Sequence, residues 1–247
     1  MTAQAGEAGE RCFVDLHCHT SFSFDSLSRP ADVVAAGVRR GLTHLAITDH
    51  DRIDGALLAR EAAPPGLSVI VGEEIRSADG DVIGLFLTGA VPPGLSALET
   101  VDAIHAQGGV AGIPHPFDHL RRSGIESRRG VQMMEVLAPA LDYVEAFNAR
   151  VPFGSANERA GEFARDHGLP GVAVSDAHTV MEVGIAYTIL PGRVDDADSL
   201  RSALSAVAVT DLVRQRASLV VRAFMPVAKA VQRLRGNRRV PPVGTGR

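Results

Sequence analysis

Histidines and acidic residues recur directly after short apolar segments of this chain, an arrangement that can bind metal ions. Five of the nine histidines occupy such positions. In residues 13–20, the alternation of side chains along a strand places His17 and His19 on one face. Two neutral imidazoles on one face suit a divalent metal ion. The polar residues that follow successive apolar segments are His17, His19, His50, Glu74, His115, Asn148, Arg150, Asp176 and His178.

Taken singly, each of these residues is explained as a helix cap or as a solvated loop residue. Acidic residues at such positions often cap the next helix, but histidine is a mediocre cap. We therefore interpret the histidines and acidic residues of this set as metal ligands. Imidazole and carboxylate without thiolate favour Zn, Mn or Fe(II) over Cu(I) or an iron–sulfur cluster. Because the seven or eight candidates exceed the ligands of one zinc ion, we expect two or three divalent ions.

Clustered divalent ions are suited to hydrolysis of phosphate esters. Ions roughly 3.5–4 Å apart bind both oxygens of an in-line displacement and supply hydroxide near neutral pH. Glu74 or Asp176 could bridge two ions, and Asp176 and His178 are the candidate catalytic residues. Arg150 is predicted to bind the substrate phosphate, since a guanidinium forms paired hydrogen bonds with phosphate, and Arg121 is a weaker candidate. The alternative for either arginine is a solvated surface charge.

Alternating strands and helices must position these residues. Alternation of strand, loop and helix predicts an α/β fold with a mostly parallel sheet. The carboxyl ends of parallel strands open on one side, which would bring the polar residues together. About seven such units over some 210 residues fit a closed barrel better than an open doubly wound sheet, which remains the alternative. Pro30 predicts the start of a helix, and residues 82–87 predict a strand paired across a turn at residues 78–80.

The motifs in these segments resemble, in order, those of the PHP (polymerase and histidinol phosphatase) family of metal-dependent phosphoesterases. The resemblance extends from Val14 to about Leu190 and is closest to the short, stand-alone branch. It implies a distorted (β/α)7 TIM-like barrel with a metal centre. The matching motifs are Asp15-Leu16-His17-Cys18-His19-Thr20, Ile47-Thr48-Asp49-His50-Asp51, Gly72-Glu73-Glu74-Ile75, His115-Pro116 and Ser175-Asp176-Ala177-His178.

The resemblance also implies a division of ligands among three ions. One ion would be bound by His17, His19, Glu74 and Asp176. A second would be bound by Glu74 and His115, and a third by Asp25, His50 and His178. Asp81 stands where many relatives have a metal-binding histidine. Either Asp81 replaces the imidazole with an oxygen, or the second ion is weakly held or absent.

The charge of the chain is unevenly distributed. Residues 211–247 contain nine Lys/Arg and one acidic residue, so they carry +8 and residues 1–210 carry −12. Apolar residues at helical spacing between positions 212 and 234 predict a basic amphipathic helix, kinked at Pro226. This helix could pack on the barrel, contact an anionic membrane surface or contact nucleic acid. Phe224 is the single aromatic residue of this segment, so stacking on bases gives little support to nucleic acid.

We expect a disordered N-terminus over residues 1–12, a metallo-phosphoesterase barrel over 13–210 and a basic helical or disordered tail over 211–247. Cys12 and Cys18 do not make a disulfide framework, so a reducing cytoplasm is predicted. The chain has no signal-peptide pattern and no apolar run long enough to span a membrane.

The predicted function is hydrolysis of phosphate esters of a small molecule, nucleotide or short oligonucleotide through attack by metal-bound hydroxide. A 5′–3′ exonuclease is one form of this function. The partners would be a phosphorylated small molecule or short nucleic acid, with peripheral membrane contact through the tail as an option and no obligate protein partner. Two alternatives remain: a catalytically weak barrel acting as a metal-stabilised interaction module, and an amidohydrolase-like C–N hydrolase.

Overall fold

The structure is a computed structural model that describes residues 10–118, 128–152, 154–208, 211–218, 221 and 223–239. Arg121 lies outside the described residues. The strands are β1 Arg11–Asp15, β2 His44–Ile47, β3 Ser68–Arg76, β4 Asp81–Leu85, β5 Val110–Ile113, β6 Tyr143–Asn148, β7 Gly171–Val174, β8 Ala186–Pro191 and β9 Leu212–Arg214. The helices are α1 Pro30–Arg39, α2 Asp54–Ala62, α3 Ala97–His105, α4 Arg128–Leu137, α5 Gly154–Asp166, α6 Ala197–Leu204 and α7 Met225–Leu234.

The nine described strands form one sheet in the order β7-β6-β5-β4-β3-β2-β1-β8-β9. Strand β4 is antiparallel to β3 and β5, and β8 is antiparallel to β1 and β9. The other neighbours are parallel, so β1, β2, β3, β5, β6 and β7 all run in one direction. Thr188 Oγ1 on β8 accepts a hydrogen bond from Ala173 N on β7 at 2.9 Å, which nearly closes the sheet. The α/β class and the TIM-like barrel are therefore confirmed.

The barrel interior is filled with large apolar side chains at the end away from the carboxyl ends of the parallel strands. Tyr143 is fully buried there and packs with Leu16, Ile83 and other residues of one hydrophobic cluster. Gly112 makes room for the ring, since a Cβ atom at this position would lie 2.2 Å from Tyr143 Cζ. This packing leaves the opposite end of the barrel for polar side chains.

Several local predictions agree with the structure. Helix α1 begins at Pro30, with the proline in its first turn. Strands β3 and β4 pair antiparallel with Arg76 opposite Asp81. Strand β1 begins at Arg11, two residues earlier than the predicted barrel boundary. None of the helices in the described part of the chain is long and apolar enough to cross a membrane.

Candidate metal centre

The predicted ligands converge at one end of the barrel. His17, His19 and Asp25 lie between β1 and α1, His50 follows β2, and Glu74 lies on β3. His115 follows β5, and Asp176 and His178 follow β7. Backbone bridges tie neighbouring strand ends together, joining Cys18 to Ala177 and His50 to Glu74. The candidate side chains are almost completely buried. Their sequence separation is large, but the parallel strands bring their functional atoms within a few ångströms.

The first cluster contains His17, His19, Glu74 and Asp176. The Nε2 atoms of the two histidines lie 2.9 Å apart, and Glu74 Oε2 lies 3.4 Å from the first and 3.3 Å from the second. Asp176 Oδ1 lies 3.6 and 3.5 Å from the same two nitrogens. Ligands about 2.1 Å from a tetrahedral ion are separated by roughly 3.4 Å. The spacing of these four atoms therefore fits one ion.

One of the other two clusters is made of different side chains, and the other shares Glu74 with the first. Asp25 Oδ1 lies 3.5 Å from His50 Nε2 and 3.4 Å from His178 Nε2, which makes a three-ligand cluster. Glu74 presents its second oxygen, Oε1, to His115 Nε2 at 3.3 Å. Among the described residues, the pair of Glu74 Oε1 and His115 Nε2 offers fewer ligand atoms than either of the other two clusters. Asp81 Oδ1 is paired with Arg239, and replacement of the family imidazole by Asp81 stays a prediction.

Hydrogen bonds orient three of the histidines so that Nε2 faces the clusters. His17 Nδ1 donates to Glu145 Oε1 at 2.6 Å. Ser23 Oγ donates its hydrogen to Asp49 Oδ1, so it accepts from His19 Nδ1 at 2.9 Å. His178 Nδ1 donates to the carbonyl oxygen of Asp176 at 2.9 Å. An imidazole whose Nδ1 carries the proton has a lone pair on Nε2, which is the state that a metal requires.

Buried polar atoms and strained backbone also mark this end of the barrel. Asp25 Oδ1, Glu74 Oε2 and His115 Nδ1 are buried without a hydrogen-bond partner among the described residues. Such atoms are costly unless a ligand or ion compensates them. His115 and Asp176 have φ angles of 30° and 51°, which cost about 1–3 kcal/mol each for residues other than glycine. The residues present therefore fit divalent ions.

The charges of the metal-free cluster follow from burial and from its paired groups. Burial lowers the pKa of His19, but hydrogen bonds with Asp176 and Glu74 outweigh burial and raise this pKa to about 9. Burial also lowers the pKa of His17, yet the charges of Glu145 and Asp176 hold it well above its usual range. Burial and the charge of Arg150 lower the pKa of His178 to about 3. The His17–His19 pair therefore holds an extra proton at neutral pH when no metal is bound, and His178 is neutral.

These protonation states predict that metal binding releases protons. Because an ion binds the neutral imidazole, binding at pH 7 must displace the extra proton of the His17–His19 pair, and the metal affinity should rise as the pH approaches 9. Calorimetric metal titrations in two buffers of different ionisation enthalpy measure the number of protons released. A binding enthalpy that is the same in both buffers would contradict the predicted protonation.

Glu145 supports the centre, although its position within an apolar strand did not single it out in the sequence. Its second oxygen, Oε2, accepts hydrogen bonds from His115 N at 2.9 Å and from Asn148 Nδ2 at 2.8 Å. Asn148 Nδ2 also lies 3.1 Å from Asp176 Oδ2. One fully buried carboxylate thus orients His17, His115 and Asn148. The sequence feature that could have identified Glu145 is the presence of a charged residue within an otherwise apolar strand.

We predict that Glu145→Gln weakens metal binding by about 10–100-fold, because residues that orient metal ligands contribute on this scale. The substitution removes the negative charge that faces His17 and places an amide among hydrogen-bond donors. Competition with a chromophoric chelator measures the affinity. Glu135→Gln, which changes an exposed glutamate that contacts His167, is the matched control and should bind metal as the wild type does. Equal affinity of both variants would show that Glu145 does not support the ligands.

Arg150 lies beside this centre but has a protein partner. Its Nη1 atom donates to both carboxylate oxygens of Glu182, at 2.7 and 2.8 Å, and both side chains are buried. The Nε and Nη2 atoms of Arg150 have no hydrogen-bond partner among the described residues. Glu182 also accepts hydrogen bonds from the backbone N–H groups of His178 and Thr179. The pairing with Glu182 was not predictable from the residue pattern, and phosphate binding by Arg150 stays a prediction.

Comparison with known proteins agrees with the motifs and the fold. The PHP domain model matches residues 15–145, and the PHP-associated model matches residues 154–209. The chain belongs to the PHP family. This membership confirms the predicted resemblance and supports a metal-dependent hydrolase of phosphoric esters. An uncharacterized protein of Methanocaldococcus jannaschii is 35% identical over 157 residues, which cover 59% of this chain and 87% of that protein.

Solved structures share the PHP fold at low sequence identity. A two-domain protein of Bacteroides vulgatus that contains a predicted PHP-like metal-dependent phosphoesterase has a TM-score of 0.66 and 20% identity. The match covers 81% of this chain and 64% of that protein. A lesion-specific endonuclease of Pyrococcus furiosus has a TM-score of 0.55 and 15% identity, covering 81% of this chain and 57% of that one.

Proposed function

We propose that this PHP protein hydrolyses phosphate esters of a small molecule, a nucleotide or a short oligonucleotide, including removal of nucleotides from a 5′ end. The observation that carries the proposal is the convergence of eight buried imidazole and carboxylate side chains, three of the imidazoles held with Nε2 facing the clusters. A centre that binds several divalent ions side by side suits phosphoryl hydrolysis. The native metal, which we expect to be Zn, Mn or Fe, is part of the proposal.

We propose ligand roles that follow the three clusters. His17, His19, Glu74 and Asp176 would hold one ion, and Asp25, His50 and His178 another. Glu74 Oε1 and His115 would hold a further ion. When bound, such ions supply a nucleophilic hydroxide near neutral pH and neutralise charge on the phosphoryl oxygens.

Burial and charged side chains around the clusters would also help the site to bind its substrate. Burial around the clusters excludes water and strengthens electrostatic interactions there. Arg150 is the proposed phosphate-binding residue. Glu182 holds its Nη1 atom, and its Nε and Nη2 atoms are buried donors without a hydrogen-bond partner among the described residues. The charge of Arg150 acts on His178, so the guanidinium lies close to that candidate ligand. Asp176 and His178, predicted to be catalytic, both face the ligand clusters, and the lowered pKa of His178 favours ligation over proton donation.

The charge of the chain bears on the size of the substrate. Residues 1–210 carry a net charge of −12, which disfavours binding of long nucleic acid because that binding relies on basic surfaces. The protein of similar fold from Pyrococcus furiosus is a lesion-specific endonuclease, which supports a phosphodiester of nucleic acid as one class of substrate. A cytoplasmic location and peripheral membrane contact remain predictions.

Metal analysis combined with a substrate panel tests the proposal. The purified full chain is loaded with Mn, Zn or Fe and assayed with p-nitrophenyl phosphate, 5′-nucleotides, 5′-phosphorylated oligonucleotides and a cyclic amide. We expect metal-dependent turnover of at least one phosphate ester and none of the amide. Metal binding without any turnover would favour the interaction module, and turnover of the amide alone would favour a C–N hydrolase.

A further inference from the structure

The C-terminal segment 225–239, which contains α7, lies across the loop that carries Asp25. Gln232 is buried, and its Nε2 atom lies 2.7, 2.9 and 2.6 Å from the carbonyl oxygens of Ser21, Ser23 and Ser26. These three carbonyl groups flank the candidate ligand Asp25. The side-chain amide of Gln232 therefore fixes the backbone of the loop that carries Asp25.

Two more side chains hold the same segment in place. Asn237 Nδ2 donates to the carbonyl oxygens of Phe22 and Ser23 at 2.9 and 3.2 Å. Lys229 Nζ lies 4.0 Å from Asp25 Oδ2 and 5.4 Å from the centre of the Phe24 ring. The tail thus contacts the barrel through polar side chains at the metal centre, not only through its apolar face.

A cleft of about 400 Å³ lies between the tail and the metal centre. His50 and Phe24 line it from the barrel, and Asn237, Arg238 and Arg239 line it from the tail. His50 is also a member of the ligand cluster with Asp25. A molecule in this cleft would therefore lie against the candidate ligand His50 and two arginines of the tail, with Asp51, Arg52 and Asp54 also in the lining.

Arg239 is held in this cleft by a buried acidic residue. One guanidinium nitrogen, Nη2, pairs with Asp81 Oδ1, and the Asp81 side chain is only 3% exposed. The guanidinium lies 5.7 Å from the centre of the Phe24 ring. Its Nε atom is buried and has no hydrogen-bond partner among the described residues. Burial lowers the pKa of Arg239, but the charge of Asp81 outweighs burial, so the group stays charged.

We propose that Arg239 binds the phosphoryl group of the substrate in this cleft, with Asp81 and the tail contacts as its positioning residues. The inference rests on the proposed function and names a binding residue that lies outside the matched family segments. A guanidinium with one edge fixed by a carboxylate keeps further donors for phosphate oxygens. The C-terminal segment is then a wall of the active site.

Equilibrium binding of inorganic phosphate to the full-length, Mn-loaded protein tests this inference without requiring turnover. We expect Arg239→Met to weaken phosphate binding by about tenfold or more, since a charge-assisted hydrogen bond is lost. Arg239→Lys should keep part of the affinity because it keeps the charge. Arg233→Met, at an exposed position of α7, is the matched control and should bind phosphate as the wild type does.

A further variant tests whether the contacts of the C-terminal segment position Arg239 for phosphate binding. Gln232→Leu removes the loop anchor without touching the cleft, and it should also weaken phosphate binding while the protein stays folded. Wild-type affinity in Arg239→Met, absence of phosphate binding by the wild type, or loss of metal from Arg239→Met would each overturn the inference. Phosphate binding by a wild type that hydrolyses no phosphate ester would contradict the proposed function and leave the role of Arg239 intact.

Discussion

His17→Ala is expected to remove metal from the first cluster and to lower turnover of a phosphate ester by roughly a thousandfold or more. The side chain contributes an Nε2 atom within 3.6 Å of the other three ligands of that cluster. Metal ions stabilise charge in such transition states by several kcal/mol, and each 1.36 kcal/mol is a factor of ten in rate. Asp176→Ala should have the same effect, because it removes an oxygen from the same cluster.

Metal content per chain and the turnover rate are both measured, and circular dichroism checks the fold. His167→Ala is the matched control, since His167 contacts Glu135 and Phe163 away from the metal centre. It should retain full metal content and full turnover. Full activity in both His17→Ala and Asp176→Ala would show that the proposed ligands are wrong.

Glu74→Gln is expected to lose more than one ion per chain, with a fall in turnover at least as large. Glu74 Oε2 faces His17, His19 and His50, whereas Oε1 faces His115. Burial raises the pKa of Glu74, but the charge of His50 and hydrogen bonds with the other histidines outweigh burial and hold it well below its usual range. The carboxylate is therefore ionised, and an amide nitrogen in place of one oxygen cannot bind a cation.

The neighbouring residue gives a closely matched control for this substitution. Glu73 is equally buried but points to the other side of β3, where its Oε2 accepts a hydrogen bond from Val91 N. Burial raises the pKa of Glu73 to about 8, so its side chain is largely neutral at pH 7 and Gln mimics it. Glu73→Gln should therefore keep its metal. Loss of one ion or none from Glu74→Gln would show that Glu74 is not shared between ions.

The sequence was sufficient to predict the fold and the residues at the mouth of the barrel. Most candidate ligands lie at or just after the end of an apolar strand, and parallel strands place their carboxyl ends together, so their convergence follows from the strand pattern. Asp25, in the loop before α1, came only from the family resemblance. The division into three clusters came from the family resemblance. The structure places Asp25, His50 and His178 together as that resemblance implies, and ligation itself stays a prediction.

The supporting contacts could not be predicted, because they join residues far apart in sequence. Glu145 orients His17 across 128 positions, and Glu182 pairs with Arg150 across 32. The contact between the C-terminal segment and the barrel is the clearest example of such a long-range contact. Helical spacing predicted an amphipathic helix over residues 212–234 with a kink at Pro226, but residues 212–214 form β9 and α7 begins at Met225, with Pro226 in its first turn. The polar residue Gln232 makes the contact that fixes α7 on the loop beside Asp25. Periodicity shows that a helix has an apolar face, not which polar residue on it finds a partner.

Anomalous X-ray diffraction from crystals of the Mn-loaded protein tests the central claim most directly, because it locates each ion without reference to activity. We expect one strong peak among His17, His19, Glu74 and Asp176, and another among Asp25, His50 and His178. Ions bound elsewhere on the surface, with these side chains directed to separate regions, would contradict the proposed metal centre.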